Sequence, residues 1–397
     1  MLKRLRYTIE TILVNALILS TLYQLIVYLA NRRFWRQTPP PPPDNFMPRI
    51  SVVVPLHGKS LDTLALLYLL AVSAPTDQYE IILALESEED PAYPAALDVK
   101  QHYPQLVKIV ISGPAGRHVG KIHNLNAGYQ AASGDLIAFI DADVQITAEL
   151  WNAALSVMAE PTIGAAFAPP LIVEPERRIG SPVPTGGEMM IALYNNHART
   201  AGLPFAALSH RVKTMMGGFM IFRRSVLEQA GGLLHLLNEA ADDISLARVM
   251  QENGQRMAVI PVPARVLPER QSYEEGRQHI ERNLTVQRAY RPWDFLAWPF
   301  TNPLTVGFML GWITEHEGRW WGRRTWWGFA AFRAALAYEL DRIRFGRGFT
   351  GAAYAQLFML DTFISPVLWL RALFRKSIRW HGRTYRIQQG GRAERVD

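Results

Sequence analysis

Apolar and polar positions alternate in short units through the middle of the chain, from Arg49 to about Ile163. Short apolar runs with strand character are followed by segments whose apolar positions recur with the period of a helix. The predicted strands cover residues 50–54, 79–85, 106–111 and 136–140, and the predicted helices cover residues 61–72, residues 122–132 and a segment that Thr147 can cap. Strands that alternate with helices favour a mostly parallel sheet with helices on both faces. We therefore predict an α/β domain.

The pattern becomes less regular after Ile163. Residues 170–188 are rich in Pro, Gly and charged residues, which favours a loop over the sheet edge. Local signals predict a strand over residues 215–222, a short helix over residues 225–230 that ends at Gly231 and Gly232, and two helices over residues 242–250 and 272–291.

Long apolar runs lie near both ends of the chain. Residues 9–30 are almost uniformly apolar, which is close to the roughly 20 residues that span a bilayer. They end in a basic and aromatic stretch rather than in the small-residue cleavage site of a signal peptide. Of three later apolar stretches, residues 295–313 and 354–374 are long enough to span, with Pro299 and Pro303 interrupting the first. Residues 326–340 contain Arg333 and are borderline, so they are re-entrant, interfacial or spanning.

These patterns divide the chain into five predicted parts. A Pro-rich linker, which residues 39–43 make stiff, separates an N-terminal anchor from the α/β domain. The predicted parts are an anchor over residues 1–36, a linker over 37–48, the α/β domain over 49–292, membrane helices over 293–375 and a basic polar tail over 376–397.

Composition supports association with a membrane surface. The chain has a net charge of +7, and 49% of its 397 residues are hydrophobic. Lys and Arg crowd near the apolar segments and the chain carries no nucleic-acid motif, so we favour a membrane over nucleic acid as partner. The absence of Cys excludes disulfides, thiolate metal sites and a Cys nucleophile.

Candidate chemistry is found where predicted strands end and helices begin. Asp141 and Asp143 follow the predicted strand over 136–140, and such a pair either ends the strand in an acidic turn or holds a divalent cation. Lys121 lies at a helix start, a suitable place for a phosphate. Asp242 and Asp243 lie in the first turn of a helix, which the helix dipole favours whether or not they act chemically.

Three further features leave their role open. Gly217 and Gly218 mark either a close backbone approach to a ligand or a bulge. The basic helix over 272–291 suits a membrane surface, a diphosphate or a solvated charged face. Two polar segments also follow predicted strands, namely residues 55–58 and residues 86–90.

In this order, the motifs resemble those of inverting family-2-type (GT-A fold) glycosyltransferases. Within them the chain is most similar to the ceramide glucosyltransferase group, which includes the bacterial hopanoid-biosynthesis glycosyltransferases. The C-terminal stretch is the most specific to this group, and the resemblance extends from about Met47 to the end of the chain. The motifs that carry it are residues 53–58, 86–91, 120–125, 140–143, 217–218, 230–232, 242–243 and 378–386.

The resemblance implies a membrane-bound enzyme that transfers one sugar from a UDP-sugar to a lipid hydroxyl with the help of Mg²⁺ or Mn²⁺. It implies Asp243, with Asp242, as the catalytic carboxylates, and Asp143, with Asp141, as metal ligands. It assigns donor contacts to Pro55, His57, Gly58, Glu86, Lys121, Asp141 and Arg282, and the acceptor site to Gly217, Gly218, His279 and Asn283. We expect a multi-pass protein, in the inner membrane of a bacterium, with its catalytic domain in the cytoplasm. Its oligomeric state is not indicated.

Two departures from the family pattern bear on this hypothesis. The first acidic position falls at Glu86 rather than at an Asp. The family's (Q/R)-x-x-R-W motif has His279 and Asn283 in place of its first and last residues, which indicates an altered acceptor or reduced activity. The alternatives are therefore a catalytically weakened membrane scaffold that keeps the fold, or a processive polysaccharide synthase.

Overall fold

The structure, a computed structural model, describes residues 2–58, 62–73, 75–76, 78–173, 185–267, 270–315, 321–380 and 382–397. The chain forms two compact units, each built from three separate segments. A helical unit comprises Met1–Arg36, Glu174–Phe205 and Arg270–Lys376, and a sheet unit comprises Gln37–Val173, Ala206–Glu269 and Ser377–Asp397.

The strands all belong to the sheet unit. They are β1 (Ile50–Pro55), β2 (Tyr79–Leu85), β3 (Val107–Ile111), β4 (Leu136–Ile140), β5 (Val144–Gln145), β6 (Ile163–Ala168), β7 (Pro170–Ile172), β8 (Phe219–Arg223), β9 (Arg256–Val259), β10 (Ala264–Val266), β11 (Ser377–Trp380), β12 (Arg383–Ile387) and β13 (Ala393–Arg395).

The helices are divided between the two units. They are α1 (Leu2–Phe34), α2 (Thr63–Val72), α3 (Tyr93–His102), α4 (Gly120–Ala131), α5 (Ala148–Met158), α6 (Gly186–Tyr194), α7 (Leu203–Leu208), α8 (Arg224–Gln229), α9 (Asp242–Glu252), α10 (Tyr273–Tyr290), α11 (Pro292–Ala297), α12 (Pro303–Glu315), α13 (Trp321–Phe345), α14 (Gly351–Met359) and α15 (Ser365–Phe374).

The main sheet has the strand order β3-β2-β1-β4-β8-β6-β9. β1 to β4 pair in parallel, whereas β8 is antiparallel to both β4 and β6. β4 is buried along its whole length, as an apolar strand covered on both faces should be. The predicted α/β architecture with a mostly parallel sheet is confirmed. The predicted cap is also present, since the Thr147 hydroxyl accepts a hydrogen bond from the Leu150 amide at 3.2 Å.

Part of the predicted loop over residues 170–188 is instead a strand. β7 pairs with β10, which also pairs with β5, so that the three form a second sheet directly after the Asp141–Asp143 turn. Leu171 and Ile172 are buried, and burial of these apolar side chains favours the strand despite the neighbouring prolines. Residues 174–184 of the predicted loop, like Leu61 at the start of a predicted helix, lie outside the described residues.

The predicted polar tail forms a third sheet of strand order β11-β12-β13. Its strands place Ile378, Tyr385, Ile387 and Ala393 in buried positions, while Arg379 and Arg386 are exposed. The tail therefore has the alternation of a sheet with one buried face, which its many charged residues hide in the sequence. His381 of the C-terminal motif lies outside the described residues.

Two described helical segments are long and apolar enough to cross a membrane, Arg4–Phe34 and Gly351–Phe374. The apolar stretch over residues 295–313 is interrupted at its prolines, as the sequence indicated. Pro299 and Pro303 divide it into α11, a 3₁₀ turn and the 13-residue α12, because proline lacks the amide that a continuous helix requires. Leu13 and Leu17 of α1 pack with Val306 and Leu310 of α12.

Candidate active site

Lys121 joins two carboxylates at the carboxyl edge of the main sheet. Its Nζ lies 2.8 Å from Asp141 Oδ1 and 3.1 Å from Asp242 Oδ2. Lys121 is in the first turn of α4, Asp141 directly follows β4, and Asp242 is the first residue of α9. The structure thus brings together three residues that the sequence predicted separately, at the edge where open α/β sheets bind their ligands.

The electrostatic balance of this cluster is negative. Burial lowers the pKa of Lys121, but Asp141 and Asp242, with a smaller effect of Asp243, raise it above its usual value, so the ammonium stays charged. The pKa of Asp242 is raised to about 6. Burial and the nearby carboxylates of Asp243 and Asp141 raise it, and together they outweigh the attraction of Lys121, which lowers it. One ammonium facing three carboxylates favours the binding of a further cation.

Backbone amides fix the carboxylate of Asp243 in place. Its Oδ2 accepts a hydrogen bond from the Gly217 amide at 2.9 Å, and its Oδ1 accepts one from the Ile244 amide at 2.8 Å. A Cβ atom on Gly217 would lie 3.6 Å from Asp141 Oδ2 and 3.7 Å from Lys121 Nζ. Gly217 therefore lies directly beside the charged cluster.

Gly218 holds the backbone that supports Asp141. Its carbonyl accepts a hydrogen bond from the Asp141 amide at 2.9 Å, and its φ of 109° is a conformation that favours glycine. Because the backbone bends at Gly218, the strand predicted over residues 215–222 begins only at Phe219, where β8 (Phe219–Arg223) starts. The two glycines lie beside the carboxylates, and their assignment to the acceptor stays a prediction.

Asp143 lies in the turn that leads from β4 into β5. Its carbonyl accepts a hydrogen bond from the Leu267 amide at 2.9 Å, and the residue is half-buried, as is Asp141. The described residues contain no group of three or more His, Asp or Glu side chains that could hold a metal. A Mg²⁺ ion that shares substrate phosphates needs only one or two carboxylates, so the oxygen donors of Asp141 and Asp143 fit this kind of site.

The segment after β1 is fixed by a carboxylate that was not among the predicted site residues. Asp90 Oδ2 lies 3.0 Å from His57 Nδ1, and Asp90 Oδ1 accepts a hydrogen bond from the Gly58 amide at 2.9 Å. Gly58 has a φ of 73°, which suits the turn that follows Pro55. The acidic run over residues 86–90 was the only signal for Asp90.

Glu86 is held by residues of two distant segments. Its carboxylate accepts two hydrogen bonds from the Arg383 guanidinium, at 2.7 and 2.9 Å, and one from the Ala115 amide at 3.0 Å. Burial raises its pKa, but these bonds outweigh burial and lower the pKa of Glu86 below its usual value. The ionised Glu86 is therefore largely occupied within the protein, and its predicted donor contact stays a prediction.

His279, Arg282 and Asn283 lie on α10 in the helical unit, where all three are half-buried. Arg282 Nη2 lies 3.4 Å from His279 Nδ1. Burial and repulsion from Arg199 lower the pKa of Arg282 to about 10, and burial, Arg282 and Arg199 hold the pKa of His279 well below its usual range. An anionic group would be stabilised beside these two guanidinium groups.

Other arginines of α10 have structural contacts that the sequence did not indicate. Arg277 Nη1 lies 3.0 Å from Oε2 of the buried Glu281, and Arg375 Nη1 lies 2.8 Å from Oε1 of the same carboxylate. Arg288 donates hydrogen bonds to the carbonyls of Leu373 and Arg375. The contacts of Arg288, and the ion pair between Glu281 and Arg375, connect α10 to α15 and to the residue that follows it.

A family model identifies the chain. The model described as glycosyl transferase family 21 matches residues 12–393, which is most of the sequence. The chain belongs to glycosyl transferase family 21. It is therefore a glycosyltransferase, as predicted, and of the group that the motifs indicated.

This family-21 chain is similar to one named relative over most of its length and to another over about a quarter of its length. Ceramide glucosyltransferase 1 of Caenorhabditis elegans is 20% identical over 88% of this chain and 74% of its own length. The β-monoglucosyldiacylglycerol synthase of a Synechocystis strain is 35% identical over 24% of this chain and 20% of its own length.

A solved structure shows the same fold. The mannosyltransferase PcManGT from Pyrobaculum calidifontis, in complex with GDP-Man and Mn²⁺, is 18% identical and has a TM-score of 0.50, with 92% of this chain and 99% of that chain covered. The likeness supports the GT-A fold of the family-21 chain, as predicted.

Proposed function

We propose that this family-21 glycosyltransferase transfers a single sugar from a UDP-sugar to the hydroxyl of a ceramide-like or hopanoid-like lipid, with inversion at the anomeric carbon. The observation that carries the proposal is the cluster of Lys121, Asp141 and Asp242 beside the oriented carboxylate of Asp243. The lipid acceptor is supported by two relatives whose names refer to ceramide and to a glucosyldiacylglycerol.

In the proposed mechanism, Asp243 is the general base. It takes the proton of the acceptor hydroxyl as the hydroxyl oxygen bonds to the anomeric carbon, and the bond from that carbon to the diphosphate breaks on the opposite face. The amides of Gly217 and Ile244 hold the base in one orientation before the acceptor arrives. The acceptor then carries the sugar, and UDP leaves.

The donor would be held by Lys121 and by the residues that follow β1. Lys121 offers a permanently charged ammonium at the start of α4, where a phosphate is also favoured by the helix dipole. Asp143 and Asp141 would hold Mg²⁺ or Mn²⁺, which offsets charge on the leaving diphosphate. We assign Pro55, His57, Gly58 and Glu86 to the nucleotide side. The donor contact of Arg282, which belongs to the helical unit, stays a prediction.

The same proposal places the protein in a membrane. α1 exposes large apolar side chains such as Leu19 and Leu29, with 66% and 58% of their surface accessible. An apolar surface of this kind on a helix long enough to span is matched by lipid rather than by water. We propose the inner membrane of a bacterium, with the sheet unit on the cytoplasmic side, where nucleotide sugars are made.

The test uses membranes that contain the full chain, supplied with UDP-sugars and a panel of polar lipids. We expect UDP release that depends on the lipid, and a glycolipid with one added sugar by mass spectrometry. Asp243→Asn should lower the rate by about 10²–10⁴-fold, because the base is lost while the shape is kept. Glu252→Gln, at the exposed end of the same helix, is the control and should keep the rate. If Asp243→Asn transfers sugar as fast as the unmodified enzyme, the proposed mechanism is wrong.

A second candidate function is favoured by His279 and Asn283, which depart from the family motif. A scaffold that keeps the fold would bind nucleotide without turnover. Stabilisation of the unmodified protein by UDP against heat, together with no transfer over the whole lipid panel, would select this candidate. Products with many added sugars would instead select a processive synthase.

A further inference from the structure

The C-terminal sheet contacts the segment that leads into α9. The Ala240 amide donates a hydrogen bond to the Gly391 carbonyl at 2.9 Å, and the Ala393 amide donates one to the Asn238 carbonyl at 2.6 Å. Since Asp242 follows Ala240 by two residues, these bonds fix the backbone immediately before the two carboxylates of the site.

The same sheet contacts the segment that leads into α4. Arg395 Nη1 donates a hydrogen bond to the Gly116 carbonyl at 3.1 Å. Arg383 binds Glu86, and Glu86 in turn accepts a hydrogen bond from the Ala115 amide. A Cβ atom on Gly120 would lie only 2.6 Å from Arg383 Nη1. Arg383 therefore lies directly against the residue before Lys121.

The two segments also bond to each other. The Val119 amide donates a hydrogen bond to the Leu237 carbonyl at 2.9 Å, and His118 Nδ1 lies 3.0 Å from Asn238 Oδ1. Residues 115–120, residues 237–241 and the C-terminal sheet thus form a three-way junction. Lys121 directly follows the first of these segments, and Asp242 directly follows the second. Lys121 Nζ lies 3.1 Å from Asp242 Oδ2.

We propose that the sheet of β11, β12 and β13 is a positioning element of the active site, and that Arg383 is its principal positioning residue. By holding Glu86 and the starts of α4 and α9, the sheet sets the distance between Lys121 and the carboxylates of Asp242 and Asp243. Arg383 acts through these residues and does not touch the reacting atoms. The inference rests on the proposed function, because it assigns a role to an element of the same site.

The first test compares Arg383→Gln with Arg386→Gln in the full chain. Arg386 is exposed on the same strand and is the matched control. Because a displacement of about 1 Å at a site can cost a factor of about 100, we expect Arg383→Gln to lower kcat by about 10–100-fold. The KM for the donor should change less than kcat, since the substitution displaces Lys121 and Glu86 but leaves both side chains in place. Arg383→Lys should restore kcat only in part, because an ammonium cannot form the bidentate pair.

A second test inserts a methyl group at the junction. Since the added Cβ would lie 2.6 Å from Arg383 Nη1 and 2.9 Å from Glu86 Oε1, Gly120→Ala should push the Arg383–Glu86 pair from its place and lower kcat as Arg383→Gln does. If both act on the same contact, the double variant loses no more activity than either single variant, whereas independent effects would multiply. Multiplying effects, or an Arg383→Gln enzyme whose kcat equals that of Arg386→Gln, would overturn the proposal.

Amide hydrogen exchange separates this inference from the proposed function. In Arg383→Gln, the amides of Val119 and Ala240 should exchange faster than in the unmodified protein, because the junction opens locally. This readout needs no turnover. If the unmodified protein transfers no sugar, the proposed function is wrong. The exchange rates of the two amides still test whether Arg383 holds the junction. Unchanged exchange at both amides would refute the inference.

Discussion

Ionisation of the Asp242 carboxylate is unfavourable in the folded protein. Burial, with the neighbouring carboxylates, raises its pKa from 3.8 to about 6. Between these values the folded chain binds this proton and the unfolded chain does not, so the free energy of unfolding falls as pH rises. The difference corresponds to about 3 kcal/mol of stability that is lost by the time pH exceeds the folded pKa.

Asp242→Asn should therefore raise the Tm at pH 7.5 and leave it nearly unchanged at pH 4, where the native residue is already neutral. The gain is at most about 3 kcal/mol, because the variant also removes a partner of Lys121. Thermal unfolding in detergent at the two pH values measures the effect, with Glu252→Gln as the exposed control. A variant that is less stable than the unmodified protein at pH 7.5 would contradict the unfavourable burial of Asp242.

Gly218 gives a second test at a single position. A side chain there must adopt the φ of 109°, and its Cβ would lie 3.4 Å from the Cβ of Pro170. We expect Gly218→Ala to destabilise the fold by about 1–3 kcal/mol and to displace Asp141, whose amide bonds to this carbonyl. Gly217→Ala, at a position without positive φ, should lower the Tm much less. If Gly218→Ala and Gly217→Ala have equal Tm values, the positive φ at position 218 does not strain an alanine there.

The main residues of the charged cluster could be found in the sequence because each stands beside a strong local signal. Asp141 ends an apolar strand, Lys121 begins a helix, and Asp242 and Asp243 begin another. The role of Arg383 could not be found in this way. It depends on Glu86, which is 297 positions away, and only the folded chain reveals that partner.

Arg333 joins two turns of π-helix in the helical unit. Its Nε donates a hydrogen bond to Asp361 Oδ2 at 2.9 Å, within the π-helical Leu360–Ile364. Its Nη2 donates one to the His197 carbonyl at 3.1 Å, within the π-helical Asn195–Arg199. Both side chains of the ion pair are almost completely buried. A buried pair of this kind connects α13 to two separate helical segments.

Removal of Arg333 alone should therefore lower the free energy of unfolding more than replacement of both Arg333 and Asp361 by apolar residues. Arg333→Met alone leaves a buried carboxylate without its cation, at a cost of about 3–5 kcal/mol. The double variant Arg333→Met, Asp361→Leu should recover much of the Tm, since apolar side chains often replace a buried pair without loss. Thermal unfolding of the three proteins in one detergent measures this. A double variant less stable than Arg333→Met would show that the charge of Asp361 has another role.

Elements were predictable where one periodicity dominates a segment. β1, β2 and the start of α9 follow from apolar runs and from helix-start signals. The strands of the C-terminal sheet were missed because charged residues occupy their exposed face, so that composition suggested a polar tail. The interruption of the 295–313 stretch was predictable, because Pro299 and Pro303 are visible in the sequence.

At the level of the whole chain, each unit combines segments that are far apart in sequence. The helical unit includes residues 270–292, which the sequence placed in the α/β domain, and the sheet unit includes residues 377–397, which it placed in a separate tail. Such an arrangement follows from contacts between distant segments, and local patterns do not encode it. The order of motifs along the chain nevertheless indicated the family.

The last prediction concerns attachment to the membrane. With a net charge of +7, the protein could be held at an anionic surface by charge alone, and about 1 M salt would then release it. If α1 spans the bilayer, the protein should instead stay in the membrane pellet in high salt and at alkaline pH, and only detergent should release it. Leu19 is exposed in the apolar middle of α1, so Leu19→Arg should disfavour insertion by about 3 kcal/mol, whereas Leu19→Val should not. Because Gly351–Phe374 can also anchor the chain, the comparison of the two variants needs a chain cut after Arg36, in which α1 remains of the two described candidate spans. Release of the unmodified full chain by salt, or equal pelleting of the two short variants, would contradict a spanning α1.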